Sequence, residues 1–160
     1  MRKFGLVTLA LLTITACGFT PMYASKTTNV QMEQVNVHPI PEREGQELRN
    51  ALLDRGFGDS DTAGGLELTI PGVALSEIDL GIAEDNTATR RQLTMSVGLK
   101  LSRDGKEILA RTLVARTTYN VLVSQYTTLV SQDAARRMVI EDLARQIETQ
   151  IVLAMGQPAQ

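Results

Sequence analysis

One side chain in this sequence carries chemistry that its neighbours specify. Cys17 is the single cysteine among 160 residues, and it closes the run Leu12-Thr13-Ile14-Thr15-Ala16-Cys17. A basic start, Arg2-Lys3, and an apolar stretch Phe4–Ala16 precede it. An apolar residue three positions before a cysteine, with small residues at the next two, is the layout of a bacterial lipoprotein signal. The cysteine is then acylated and becomes the new N-terminus. The apolar stretch is 13 residues long, short of the roughly 20 that span a bilayer. The expected product is a membrane-tethered chain that begins at Cys17.

Other reactive arrangements fall short. His38 is the only histidine and sits beside Pro39 at a strand end, which suits a surface position better than a base. Asp59-x-Asp61 has no glutamate at the offset that a calcium loop needs, and Glu84-Asp85 reads as a solvated turn. Gly56-x-Gly58 and Gly64-Gly65 are not followed by Gly-Lys-Ser/Thr, so they make turns and no phosphate loop. Three phenylalanines and three tyrosines, scattered, make no base-stacking platform. With one histidine and an acylated cysteine, a transition-metal site is not expected. The chain reads as a binding or structural component, not an enzyme, with no cofactor.

Charge is informative through its distribution. Removal of residues 1–16 takes Arg2 and Lys3 from the 16 basic residues, leaving 14 against 18 acidic and a net charge of −4 with His38 neutral. Residues 42–85 hold eleven acids and three arginines. Residues 89–116 hold seven basic residues (Arg90, Arg91, Lys100, Arg103, Lys106, Arg111, Arg116) against Asp104 and Glu107. That excess fits an anion-facing surface or, equally, a solvated strand face.

The elements that position these groups follow from periodicity. Residues 17–28 read as a tether, 29–156 as one α+β domain, and 157–160 as a tail. Val30, Met32, Val35 and Val37 suit a first strand with one irregularity. Pro41 is placed as the first residue of a helix over 41–55, with Leu48, Ala51 and Leu52 as its stripe and Gly56 as its C-cap. Gly58–Gly65 reads as a turn, and 66–83 as a bent strand or two short ones broken at Pro71-Gly72. Leu93, Met95, Val97, Leu99 and Leu101 alternate as the clearest strand, and Asp104-Gly105 signals a two-residue hairpin. Regular pairing from that turn sets Leu101 against Ile108, Leu99 against Ala110, Val97 against Thr112 and Met95 against Val114. The second face then combines Thr94, Ser96, Gly98 and Lys100 with Leu109, Arg111, Leu113 and Ala115, a mixed surface suited to meeting a partner. Ser131 is the expected N-cap of a last helix whose stripe is Ile140, Leu143, Ile147, Ile151 and Ala154. The predicted fold is strand–helix–strands–helix, with two helices packed on one face of a mainly antiparallel sheet of about four strands.

These residues resemble a known family. Cys17-Gly18-Phe19-Thr20-Pro21-Met22-Tyr23, the element order, the Tyr119-Asn120-Val121 strand exit and Ser131-Gln132-Asp133-Ala134-Ala135-Arg136-Arg137 are similar to the alphaproteobacterial form of the LptE lipopolysaccharide-assembly lipoproteins. The resemblance covers essentially the whole mature chain. It implies a lipoprotein anchored on the periplasmic side of the outer membrane, plugging an LptD-type β-barrel and helping to deliver lipopolysaccharide to the surface. Gly18 after the cysteine agrees with outer-membrane sorting. Under that resemblance Arg90, Arg91, Arg103 and Lys106 are the expected lipopolysaccharide contacts, arginine forks being suited to phosphate. Lys100, Leu109, Arg111 and Leu113 are the expected barrel-facing residues, suited to a largely polar barrel interior. The residues by themselves also admit an accessory lipoprotein of an ABC-type periplasmic lipid transporter.

Overall fold

Asp104 and Gly105 both take positive φ, 52° and 76°, the conformation of a type I′ turn, whose twist matches that of the strands it joins. The computed structural model containing this turn describes residues 32–59, 65–82, 88–122 and 124–156. The turn joins the two longest strands, β5 (Ala88–Arg103) and β6 (Lys106–Asn120). Before them come β1 (Val35–Val37), α1 (Arg43–Leu53), β2 (Gly58–Asp59), β3 (Leu66–Thr69) and β4 (Val73–Ile82); α2 (Gln125–Gly156) follows. One six-stranded sheet results, and it is mixed. β1 lies parallel to β2 and β3, while β3 and β4 run antiparallel along one edge of β5 and β6 along the other.

The α+β class and the strand–helix–strands–helix order stand; the strand count and direction are corrected. The missed strand is Gly58–Asp59, two residues with no alternation to read. Glycine is required at its first position, where an added Cβ would lie 2.5 Å from the Glu33 carbonyl oxygen. Among the described residues of the expected first strand, Val35–Val37 are extended and Met32–Glu33 are helical; Val30 lies outside them. The break at Pro71-Gly72 is where expected. It leaves β3 and β4 in line along β5, opposite residues 100–103 and 88–97 respectively.

α1 starts at Arg43, not Pro41, because Glu42 holds φ 68° and ψ 168° and cannot continue a helix backwards. It ends as read: Gly56, at φ 88°, donates its N–H to Leu53, and the Phe57 N–H reaches Leu52. Those two bonds make a Schellman motif. α2 begins seven residues earlier than expected, so Ser131 is inside the helix and caps nothing. Thr128 secures the earlier start, its hydroxyl accepting from the Leu122 N–H at 3.0 Å and facing the Leu122 and Ser124 carbonyls.

Both helices cover one sheet face. Leu48, Ala51 and Leu52 of α1 and Val139, Leu143, Ile147 and Ile151 of α2 bury against Val35, Val37, Leu68 and the odd residues Leu93–Leu101 of β5. Arg55 ties the helices together, donating to Glu148 at 2.9 Å and Glu141 at 3.1 Å.

The hairpin register differs from expectation by one residue. Arg103 faces Lys106 as read, but Ser102 faces Glu107 and Leu101 faces Leu109. Ile108 is the extra residue of a β-bulge. From there Leu99 opposes Arg111, Val97 opposes Leu113 and Met95 opposes Ala115. A one-residue slip turns every side chain over, so Leu109, Arg111 and Leu113 lie on the helix side, and only Lys100 remains on the open face. The physical reason lies under α2. The unbulged register would set Arg116 opposite Leu93 on the helix side; the bulged one buries Ala115 and Tyr119 there and leaves Arg116 exposed on the open face.

Candidate functional site

With the register fixed, the centre of the open sheet face carries mainly short side chains, between Arg116 at one end and Lys100 at the other. Across β4, β5 and β6 its rows read Ser76–Thr94–Arg116, Ala74–Ser96–Val114 and Gly98–Thr112, then Thr69–Lys100–Ala110 across β3, β5 and β6. Gly98 sits mid-strand, exposed and without positive φ, and an added Cβ there would meet nothing within 4 Å. Nothing inside the fold asks for glycine, which weakens a strand and marks close approach by another surface. A hollow of about 320 Å³ surrounds it, walled by Pro71, Lys100, Ala110 and Thr112.

The basic residues do not form one patch. Arg103 and Lys106 oppose each other at the hairpin tip, exposed, with no ion pair among the described residues. Arg91 and Arg90 lie twelve and thirteen residues back from Arg103 along β5, about 40 Å at 3.3 Å per residue. Arg90 is exposed on the open face, opposite Asn120. Arg91 is occupied on the helix side: its Nε donates to Asp79 at 2.7 Å. Lys100 stands 4.0 Å from Glu107. Cys17 lies outside the described residues.

Sequence reading missed a polar cluster beside Arg91. Tyr119 is almost fully buried and donates to Glu77 at 3.1 Å, while Gln132 donates to the other Glu77 oxygen at 2.8 Å. Burial pushes the Tyr119 phenol up. The cluster fastens β4, β5 and β6 to α2. Its one visible signal was acids in 66–83 facing bases in the next strand. A second hollow, about 310 Å³ between α1 and α2, is rimmed by Arg43, Glu47, Asp54, Asp133, Arg137 and Glu141. Arg43 and Arg137 there pair with Glu47 and Asp133, so the charges on its rim largely satisfy each other. Among the described residues no group of three or more His, Cys, Asp and Glu side chains is placed to hold a metal.

A family model described as LptE, lipopolysaccharide-assembly, matches residues 28–155. The chain belongs to the LptE family. No match was found among curated protein sequences. Solved structures with the same fold include a candidate lipoprotein from Caulobacter crescentus CB15, 17% identical over 82% of this chain and 98% of that one, with a TM-score of 0.65. A minor lipoprotein from Acinetobacter baumannii is 23% identical over 79% and 98%, TM-score 0.57. The rare lipoprotein B of Shewanella oneidensis is 15% identical over 76% and 90%, TM-score 0.50. At these identities the likeness is one of fold. Family membership makes this an envelope lipoprotein-type chain of lipopolysaccharide assembly.

Proposed function

We propose that this chain is an outer-membrane lipoprotein, held on the periplasmic side by acylated Cys17, that packs inside an LptD-type β-barrel and supports delivery of lipopolysaccharide to the surface. The family match over residues 28–155 carries the reading. Two features support it: the helix-free sheet face of short and hydroxyl side chains, and the unspent cations at the hairpin tip. Such a face suits the mainly polar interior of a barrel, with Thr94, Ser96, Gly98, Lys100, Ala110 and Thr112 at the contact. Affinity purification of the full chain from native outer membranes tests it; recovery without a barrel partner sinks the reading.

Gly98 gives a finer prediction. Gly98→Phe fills the hollow without touching the fold, so the melting temperature stays within about 2 °C of wild type. Recovery of the barrel falls at least tenfold, because the ring holds the two surfaces apart. Unchanged recovery would place the contact elsewhere.

For lipopolysaccharide, the separation of the basic pairs decides between candidates. One phosphorylated lipid A head cannot touch both ends of β5. The tip pair is the stronger candidate, since Arg103 and Lys106 adjoin across the ladder and Arg91 is engaged by Asp79. Arg103→Glu with Lys106→Glu is expected to lower lipopolysaccharide affinity about tenfold or more, with the circular dichroism spectrum unchanged. Equal affinity would mean that the tip is merely solvated.

A further inference from the structure

The edges of the sheet are unequal. Beyond β1 the sheet ends on β2, only two residues long. β6 presents an outer edge that α2 guards, the Gln146 amide donating to the Val114 carbonyl at 3.4 Å. β4 has no such cover among the described residues, and no strand pairs with its outer side.

The ladder fixes what that side offers. Val121 donates its N–H to the Thr89 carbonyl at 3.1 Å, so odd residues of β5 bond to β6 and even residues bond to β4. Opposite those even residues stand Ala74, Ser76 and Ile78. Val73, Leu75, Glu77 and Asp79 therefore direct their backbone N–H and C=O groups outward. Pairing is regular over Val73–Asp79, with the first register shift only beyond Asp79. The segment has no proline, and Leu75 and Ile78 are 38% and 51% exposed. A regular, open edge of this kind, carrying exposed Leu75 and Ile78, is a template for another strand.

We propose that the β4 edge pairs antiparallel with the same edge of a second copy of this chain, about a twofold axis at Ser76. The regular segment is symmetric about that residue, as an isologous contact requires. Outward-facing odd residues must meet odd ones, so the axis has to pass through a residue. Centred on Glu77, the pairing opposes two glutamates; centred on Ile78, it sets Glu77 against Asp79; centred on Leu75, it runs into Pro71. Only the Ser76 register sets Leu75 against Glu77 and Ala74 against Ile78, with no like charges facing. The two sheets then join as β6-β5-β4-β4-β5-β6. This pairing belongs to the chain free of its barrel partner and does not rest on that partner's identity.

A cysteine scan in the full chain tests it. At Ser76 the axis creates a non-bonded antiparallel pair, whose Cα atoms lie about 4.5 Å apart, within disulfide range. Overproduced Ser76→Cys protein, treated in membranes with a mild oxidant, is expected to run mostly at dimer mass on a non-reducing gel and to return to monomer on reduction. The wild-type lane accounts for any contribution of Cys17. Ile78→Cys is as open to solvent but faces Ala74 of the copy, so it stays monomeric. Adding Leu75→Glu to Ser76→Cys sets two acids face to face and lowers the dimer fraction at least fivefold. Cross-linking of Ser76→Cys no greater than that of Ile78→Cys, or unaffected by Leu75→Glu, would overturn the proposal.

Discussion

Cys17→Ala is expected to leave the chain unlipidated and uncut. The wild-type protein is expected to start at residue 17 and to carry acyl chains; the variant keeps residues 1–16, takes up no labelled fatty acid and disappears from the outer-membrane fraction. The proposed cleavage and acylation meet at one sulfur-bearing residue, and the sequence has no second cysteine to substitute. Nor does a described helix offer a substitute anchor, since none is long and apolar enough to cross a bilayer. α2 has the length, about 48 Å at 1.5 Å per residue, but Arg136, Arg137, Glu141, Arg145 and Glu148 line it. Each buried methylene of an acyl chain contributes about 0.8 kcal/mol to membrane binding, so the effect is all or none. Mass spectrometry of the purified N-terminus settles it: a wild-type chain without lipid, or cut elsewhere, would refute the assignment.

Leu143→Ala should cost the domain about 3 kcal/mol, within the 2–5 kcal/mol span of buried leucine truncations. Leu143 is fully buried on the α2 stripe that covers the sheet. Its removal opens a cavity where α2 cannot simply settle, because Arg55 holds Glu141 and Glu148 on either side of the site. Against a total stability of about 5–15 kcal/mol, that loss lowers the melting temperature by roughly 10 °C or more. Met138→Ala, five residues away and mostly exposed, should stay within about 0.5 kcal/mol. Equal losses at the two positions would show that α2 is not the lid of the core.

Much of this fold is legible where one physical signal dominates. Alternation from Leu93 to Leu101 identifies β5, Asp104-Gly105 its turn, and Gly56 the end of α1, because each is decided within a few residues. What escaped was decided across space. The two-residue β2 exists only because β1 is there to pair with it. The first turns of α2 carry exposed Tyr126, Leu129 and Val130, a composition that gives no stripe to read, so the N-cap signal at Ser131 won by default. The bulge at Ile108 had the largest effect. Alternation reports that a strand has two faces but not which one the helix will choose, and one inserted residue moved Leu109, Arg111 and Leu113 away from the face shared with Lys100. For the same reason the site was legible in kind and not in grouping. The basic stretch is real, but its two pairs sit at opposite ends of β5, and Arg91 is bound to Asp79.

The parallel placement of β1 has a consequence for how such a chain is made. β1 reaches the rest of the sheet only through β3, and β3 is bonded on its far side to residues 100–103 of β5. A polypeptide that emerges N-terminus first thus keeps Val35 to Thr69 waiting for a neighbour that follows about thirty residues later. The β5–β6 hairpin, by contrast, closes locally and fast. The last-made half of the chain is therefore the template on which the first-made half completes itself. During that interval, until Arg103 arrives, the unfinished strands stand open to any passing chain.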